Sequence, residues 1–125
     1  MKYLCLIHLD EKELAAMPAS DLSALNAEHL DFNDGLRAKG QFIQAEALEP
    51  ARATACIRVR NGKASVVDGP FTETKELVAG FYLIEAGDLN EATQIASGIP
   101  SARLGTVEVR PARQLVVEGR EPRWG

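Results

Sequence analysis

Cysteine and histidine are both scarce in this chain. Two of each occur in 125 residues: Cys5, Cys56, His8 and His29. Both cysteines fall inside strand-like apolar runs, so they read as small core hydrophobes of a protein kept in the reducing cytoplasm. The two histidines are far apart in sequence, which is no metal-binding pattern, and no metal or cofactor is expected. A basic block is also missing. The net charge is −4 with both signs spread along the chain, so the electrostatic footprint of nucleic-acid binding is absent. No run of about 20 apolar residues exists, which excludes a membrane-spanning helix. The apolar start, Met1 to His8, is too short for a signal-peptide core, and Asp10, Glu11 and Glu13 follow it at once. There is no glycine-rich phosphate loop, no dinucleotide fingerprint and no serine-nucleophile elbow.

What is present is an ordinary globular mixture, 46 % apolar and 26 % charged, of a length that suits one domain. Tyr3 to Ile7 is apolar on both faces, as a central strand is. Pro18 with Ser20 or Asp21 opens a helix whose stripe is Leu22, Leu25, His29, Phe32 and Leu36, and Lys39-Gly40 closes it. Phe42 to Leu48 is a short strand. Residues 55–60 and 64–67 form a hairpin around Asn61-Gly62, a dipeptide that favours tight two-residue turns. Val78 to Ala86 is a second central strand. Asp88 caps a helix that turns Leu89, Ala92, Ile95, Ala96 and Ile99 inward, and Gly98 and Pro100 end it. Val107 and Val109 mark the last strand. With the hairpin set aside the order is βαββαβ, so the fold class expected is α+β, ferredoxin-like with an inserted β-hairpin. The domain is placed at residues 1–117, with 118–125 as a flexible tail. Two helices cover one face of such a sheet. The central strands are apolar on the other face too, so a homodimer is expected to bury it.

The segment Asp68-Gly69-Pro70-Phe71-Thr72-Glu73, followed by Thr74-Lys75-Glu76, sets several ionisable groups on a turn beyond a strand. Together with the opening MKYLCLIHLDE, Glu46 in AEAL, VVDGPFTETKELVAGFYLIEA and GTVEVRP, it makes the chain resemble the YCII-related family, in the branch named after its DGPF motif. The resemblance spans about residues 1–111. It implies a ferredoxin-like unit that pairs sheet to sheet as a dimeric α/β barrel. It implies little about activity. In the wider family a helix histidine paired with an aspartate is proposed as an active site, and one relative resembles a dehydrochlorinating lyase. That histidine matches His29 by position. The family's aspartate follows the second strand, where this sequence has Glu46, with Asp68 beyond the hairpin. Branch members are often encoded beside alternative sigma factors, which suggests an accessory role.

His29 sits where the apolar stripe calls for leucine, and it titrates near neutrality, so it suits acid/base work. Its helix neighbours offer no carboxylate, so Asp68 or Glu46 is expected to reach it from another segment. The alternative is a core or interface histidine with one satisfied hydrogen bond. Asp68 equally suits a structural turn, because aspartate before Gly-Pro bonds its own backbone, and Phe71 reads as a core plug. Glu73, Lys75 and Glu76 line a polar pocket, form interface ion pairs or make up a solvated face. Arg58 and Arg110, on polar strand faces, suit a carboxylate-bearing ligand if they converge. The functional expectation is a cofactor-free lyase or isomerase acting on a small anionic molecule, with His29 and Asp68 as catalytic residues and Glu46, Arg58, Glu73, Lys75 and Arg110 binding the ligand. The alternative is a non-catalytic ligand-binding or regulatory module using the same cavity.

Overall fold

Tyr3, Cys5, Ile7 and Leu9 alternate along the first strand and are all buried, while Leu4, Leu6 and His8 between them are half-exposed. That period of two places one row against helices and leaves the other row open. A computed structural model of the chain describes residues 1–71 and 74–125. Thr72 and Glu73, and with Glu73 one expected site residue, lie outside the described residues. The first strand, β1 (Lys2–Asp10), is followed by two helices, α1 (Glu11–Ala16) and α2 (Ala19–Ala38). Next come β2 (Phe42–Ala47), the hairpin strands β3 (Ala55–Arg60) and β4 (Lys63–Asp68), and β5 (Glu76–Glu85). The chain ends with α3 (Leu89–Ser97), a single 3-10 turn (Pro100–Arg103) and β6 (Thr106–Pro111).

The main sheet runs β2-β5-β1-β6, antiparallel throughout. This is an α+β arrangement compatible with a ferredoxin-like fold. The two longest strands are central, as their apolar runs anticipate. The core lies on one face. Tyr3, Cys5, Ile7, Tyr82 and Ile84 of the sheet pack with Leu36 and Phe32 of α2 and with Ala92 and Ala96 of α3. Burial pushes the Cys5 thiol up to about 11, so it stays a neutral packing group. The opposite face carries Leu4, Leu6, Phe81 and Leu83, none fully buried.

The hairpin is a separate two-stranded sheet. Asn61 and Gly62 adopt φ of 52° and 75°, as a tight turn of this type requires. Ile57 and Val66 face each other across it, and both are well exposed.

Several local expectations change. The helix α1 follows the first strand directly, capped by Asp10, whose carboxylate accepts from the Lys12 amide at 2.9 Å. No side chain caps α2. Pro18 occupies the cap, and its carbonyl takes the first backbone bonds. Leu89 is half-exposed rather than inward, because Ala92 and Ala96 hold α3 close to the sheet. Phe71 is 73 % exposed and is no core plug; it lies under the Arg58 guanidinium, 5.5 Å from its ring centre. Residues beyond Pro111 carry one bridge, Leu115 to Arg123, and Lys2 sits over the Trp124 ring.

Candidate functional site

One turn apart on α2, Asn26, His29 and Asn33 project from the same side of the helix. They face a cavity of about 500 Å³ between α2 and the sheet. Its deep wall includes Tyr82 and Ser101, and its mouth is apolar, formed by Leu22, Leu30 and Leu48. The imidazole of His29 is half-buried in this wall, and both its nitrogens are engaged. Nδ1 lies 2.8 Å from the Tyr82 hydroxyl and Nε2 lies 2.6 Å from the Ser101 hydroxyl.

The protons available set the direction of these bonds. Tyr82 has a single proton, and it donates that proton to Asn33 Oδ1 at 2.5 Å. Its oxygen must therefore accept from His29, which puts the imidazole proton on Nδ1. The lone pair on Nε2 then accepts from the Ser101 hydroxyl. The result is a one-way chain, Ser101 to His29 to Tyr82 to Asn33, with the neutral imidazole as its centre. Burial holds the His29 pKa below its ordinary value. The nearby Glu28 carboxylate raises it and the Arg103 guanidinium lowers it further. Burial also pushes the Tyr82 phenol up to about 12, which keeps it a donor.

Each partner has a local reason to be where it is. Tyr82 is an inward position of β5, wedged edge-on against Phe32 with ring centres 5.8 Å apart. Ser101 is buried in the 3-10 turn that follows α3. Arg103, two residues on, grips Glu28 of α2 through both terminal nitrogens at 2.8 and 2.9 Å. That clamp ties the serine-bearing turn to the helix segment that carries His29.

The expected carboxylate partners are not brought to His29. Asp68 is exposed at the end of β4, and it is not among the described residues that line the cavity. Its neighbour Gly69 has φ of 96° and donates its amide to the Thr54 carbonyl at 2.7 Å. The glycine therefore answers a left-handed backbone that other residues resist. Glu46 contributes to the cavity rim, but the register pairs it with Phe81 on the far face, where its carboxylate accepts from Gln44 at 2.9 Å. Arg58 is on the hairpin and Arg110 lies opposite Leu4 on the open sheet face, so the two arginines do not converge in the cavity. Lys75 is exposed beyond the turn. His8 bonds Glu108 at 3.1 Å on the open face, across the sheet from the cavity. Among the described residues no cluster of histidine, cysteine and acidic side chains could hold a metal.

Sequence reasoning singled out His29 and passed over Tyr82 and Ser101. Tyr82 was hidden in an apolar strand. Its phenol, the polar tip in an inward row, was the available signal. Ser101 gave none, because it lies 72 positions from its partner.

Comparison with known proteins places the chain in a family. The model of the YCII-related domain matches residues 1–116. The chain belongs to the YCII-related family. It is 34 % identical over 120 residues to an uncharacterised protein of Rhizobium meliloti (strain 1021), covering 89 % of this chain and 91 % of that protein. Among the described residues of this YCII-related protein, no helix is long and apolar enough to cross a membrane.

Proposed function

We propose that this YCII-related protein handles a small molecule in the cavity beneath α2, as a cofactor-free lyase or isomerase with His29 moving the proton. One observation carries the reading: a neutral imidazole with a defined tautomer stands at the wall of a cavity of about 500 Å³. Because the Nε2 lone pair already accepts from Ser101, the proton taken from beside a substrate carbonyl would pass to Ser101 Oγ as the hydroxyl proton moves to Nε2. Asp68 drops out as the orienting group in this reading, and Tyr82 with Asn33 takes that part. Hydrogen–deuterium exchange tests the proton transfer without a natural substrate. A panel of small ketones and hydroxyketones is incubated with the protein in deuterated water, and exchange beside the carbonyl is followed by proton NMR. Exchange catalysed by the wild type should fall about 100-fold or more in His29→Gln. Failure of the wild type to speed exchange of any member, while His29→Gln binds the same compounds equally well, overturns the enzymatic reading.

A second reading has an observation of its own. Both nitrogens of His29 are already satisfied in the free protein. A binding or regulatory module would use the cavity in this state, without turnover, and would show binding but no exchange in the same experiment.

The intact Asp68-Gly69-Pro70-Phe71 supports placement in the DGPF branch. The free thiols Cys5 and Cys56 support a reducing, cytoplasmic setting. A homodimer is the assembly favoured by the open sheet face. Its centre is apolar, and its rim holds Glu46, Glu108 and Arg110. A rim of both signs suits a second copy related by two-fold symmetry.

A further inference from the structure

The charge expected of the ligand does not match the lining of the cavity. Among the described lining residues there is no lysine, arginine or aspartate, and the carboxylate of Glu46 is on the far face. The cation whose charge acts on His29 is Arg103. Its two terminal nitrogens are committed to Glu28, and one of them also donates to the Pro100 carbonyl at 3.1 Å. An anion entering here would give up hydration with no counter-charge to replace it, so it would bind weakly or only in its protonated form. The polar groups offered are uncharged amides and hydroxyls. Tyr82 occupies Asn33 Oδ1, so Asn33 presents its amide N–H pair, and Asn26 adds a second amide on the same helix side. Beside them on the same helix side are Leu22 and Leu30, and Leu48 joins from the end of β2, all substantially exposed around the mouth. Apolar side chains around an open mouth favour an apolar body over them.

We infer that the molecule held in this cavity is uncharged, with a carbonyl or similar acceptor oxygen at the Asn33–His29 end and an apolar body lying against Leu22, Leu30 and Leu48. This inference rests on the cavity being the ligand site, and it replaces the anionic ligand that the strand arginines suggest. A volume of about 500 Å³ accommodates a single ring with a short substituent. Deprotonation next to that carbonyl would run through the Ser101 hydroxyl, which takes the substrate proton as its own moves to His29 Nε2.

The test compares matched compounds by NMR on isotope-labelled protein at pH 7.5: cyclohexanone against cyclohexanecarboxylate, and acetophenone and benzyl alcohol against benzoate. The uncharged members should shift the amide signals of residues 26–33 and 101 and bind about tenfold or more tightly than the carboxylates. Leu30→Lys places a cation at the mouth, on a side chain that is 64 % exposed and so not needed for packing. It should raise carboxylate affinity at the same signals. Carboxylates that bind wild type there as well as or better than their uncharged partners overturn the inference and leave the cavity standing as a binding site. Shifts from neither class at these residues remove the cavity as a ligand site, and this inference with it.

Discussion

At His29 the chemistry of one side chain fixes how the protein responds to acid. Its folded pKa lies below the ordinary value of 6.5, chiefly through burial. The unfolded chain therefore takes up the proton first as pH falls. The stabilisation from keeping the imidazole neutral is full above about 6.5 and is lost as pH drops through the folded value. Urea unfolding at pH 7.5 and pH 5.5 should show a smaller decrease for His29→Gln than for the wild type. An equal decrease would mean that His29 does not report burial. The Tyr82 hydroxyl is a separate test, because it both accepts from His29 and donates to Asn33. Tyr82→Phe should cost about 1–2 kcal/mol, since two half-buried groups lose a partner. It should also free the tautomer, visible as a change in the two imidazole nitrogen shifts by NMR. A merely packing tyrosine would leave those shifts where they are.

Among the elements, β6 depends on how closely it can approach β1. A Cβ built on Gly105 would overlap the His8 carbonyl oxygen and fall 2.8 Å from Leu9 Cδ2. The backbone cannot yield there without breaking the β1–β6 register, so Gly105→Ala should destabilise by about 1–3 kcal/mol in urea titration. A neutral substitution would mean the turn into β6 is looser than this. The same glycine shows what the sequence makes legible. It was visible as part of GTVEVRP, but the contact that requires it joins two strands nearly a hundred residues apart. Periodicity read β1, α2 and β5 well, since their inward rows form the core. Local capping chemistry read α3, where Asp88 accepts from the Glu91 amide at 2.8 Å. By contrast α1 has six residues and buries none, so it leaves no stripe to detect. The site behaves the same way. His29 was legible because it interrupts an apolar stripe, whereas its partners come from β5 and the 3-10 turn, and no spacing along the chain marks such a meeting. Asp68 stands out in the sequence by its motif, but its neighbour's left-handed φ and amide bond to Thr54 account for that motif through the backbone.

For the whole molecule, the question is what covers the open sheet face. Leu4, Leu6, Phe81 and Leu83 are spread across the two central strands. Strands of 9, 10, 6 and 6 residues cover roughly 500 Å² in projection, whereas a stable pairing needs about 800 Å² from each partner. For a homodimer the sheet face alone falls short, and additional apolar surface would have to join it. The hairpin carries such surface in Ile57, Val59 and Val66, and an isolated pair of strands is marginal by itself. A dimer that uses both would bury the sheet face and hold the hairpin in place at once. Light scattering at micromolar concentration should then give twice the 13.5 kDa chain mass. Leu6→Arg should dissociate the pair while circular dichroism shows the fold retained, and Ile57→Lys should weaken it. A wild-type mass of one chain would overturn the dimer. A dimer that survives Leu6→Arg unchanged would move the interface off this sheet face, and the hairpin would then have to be explained by some other contact.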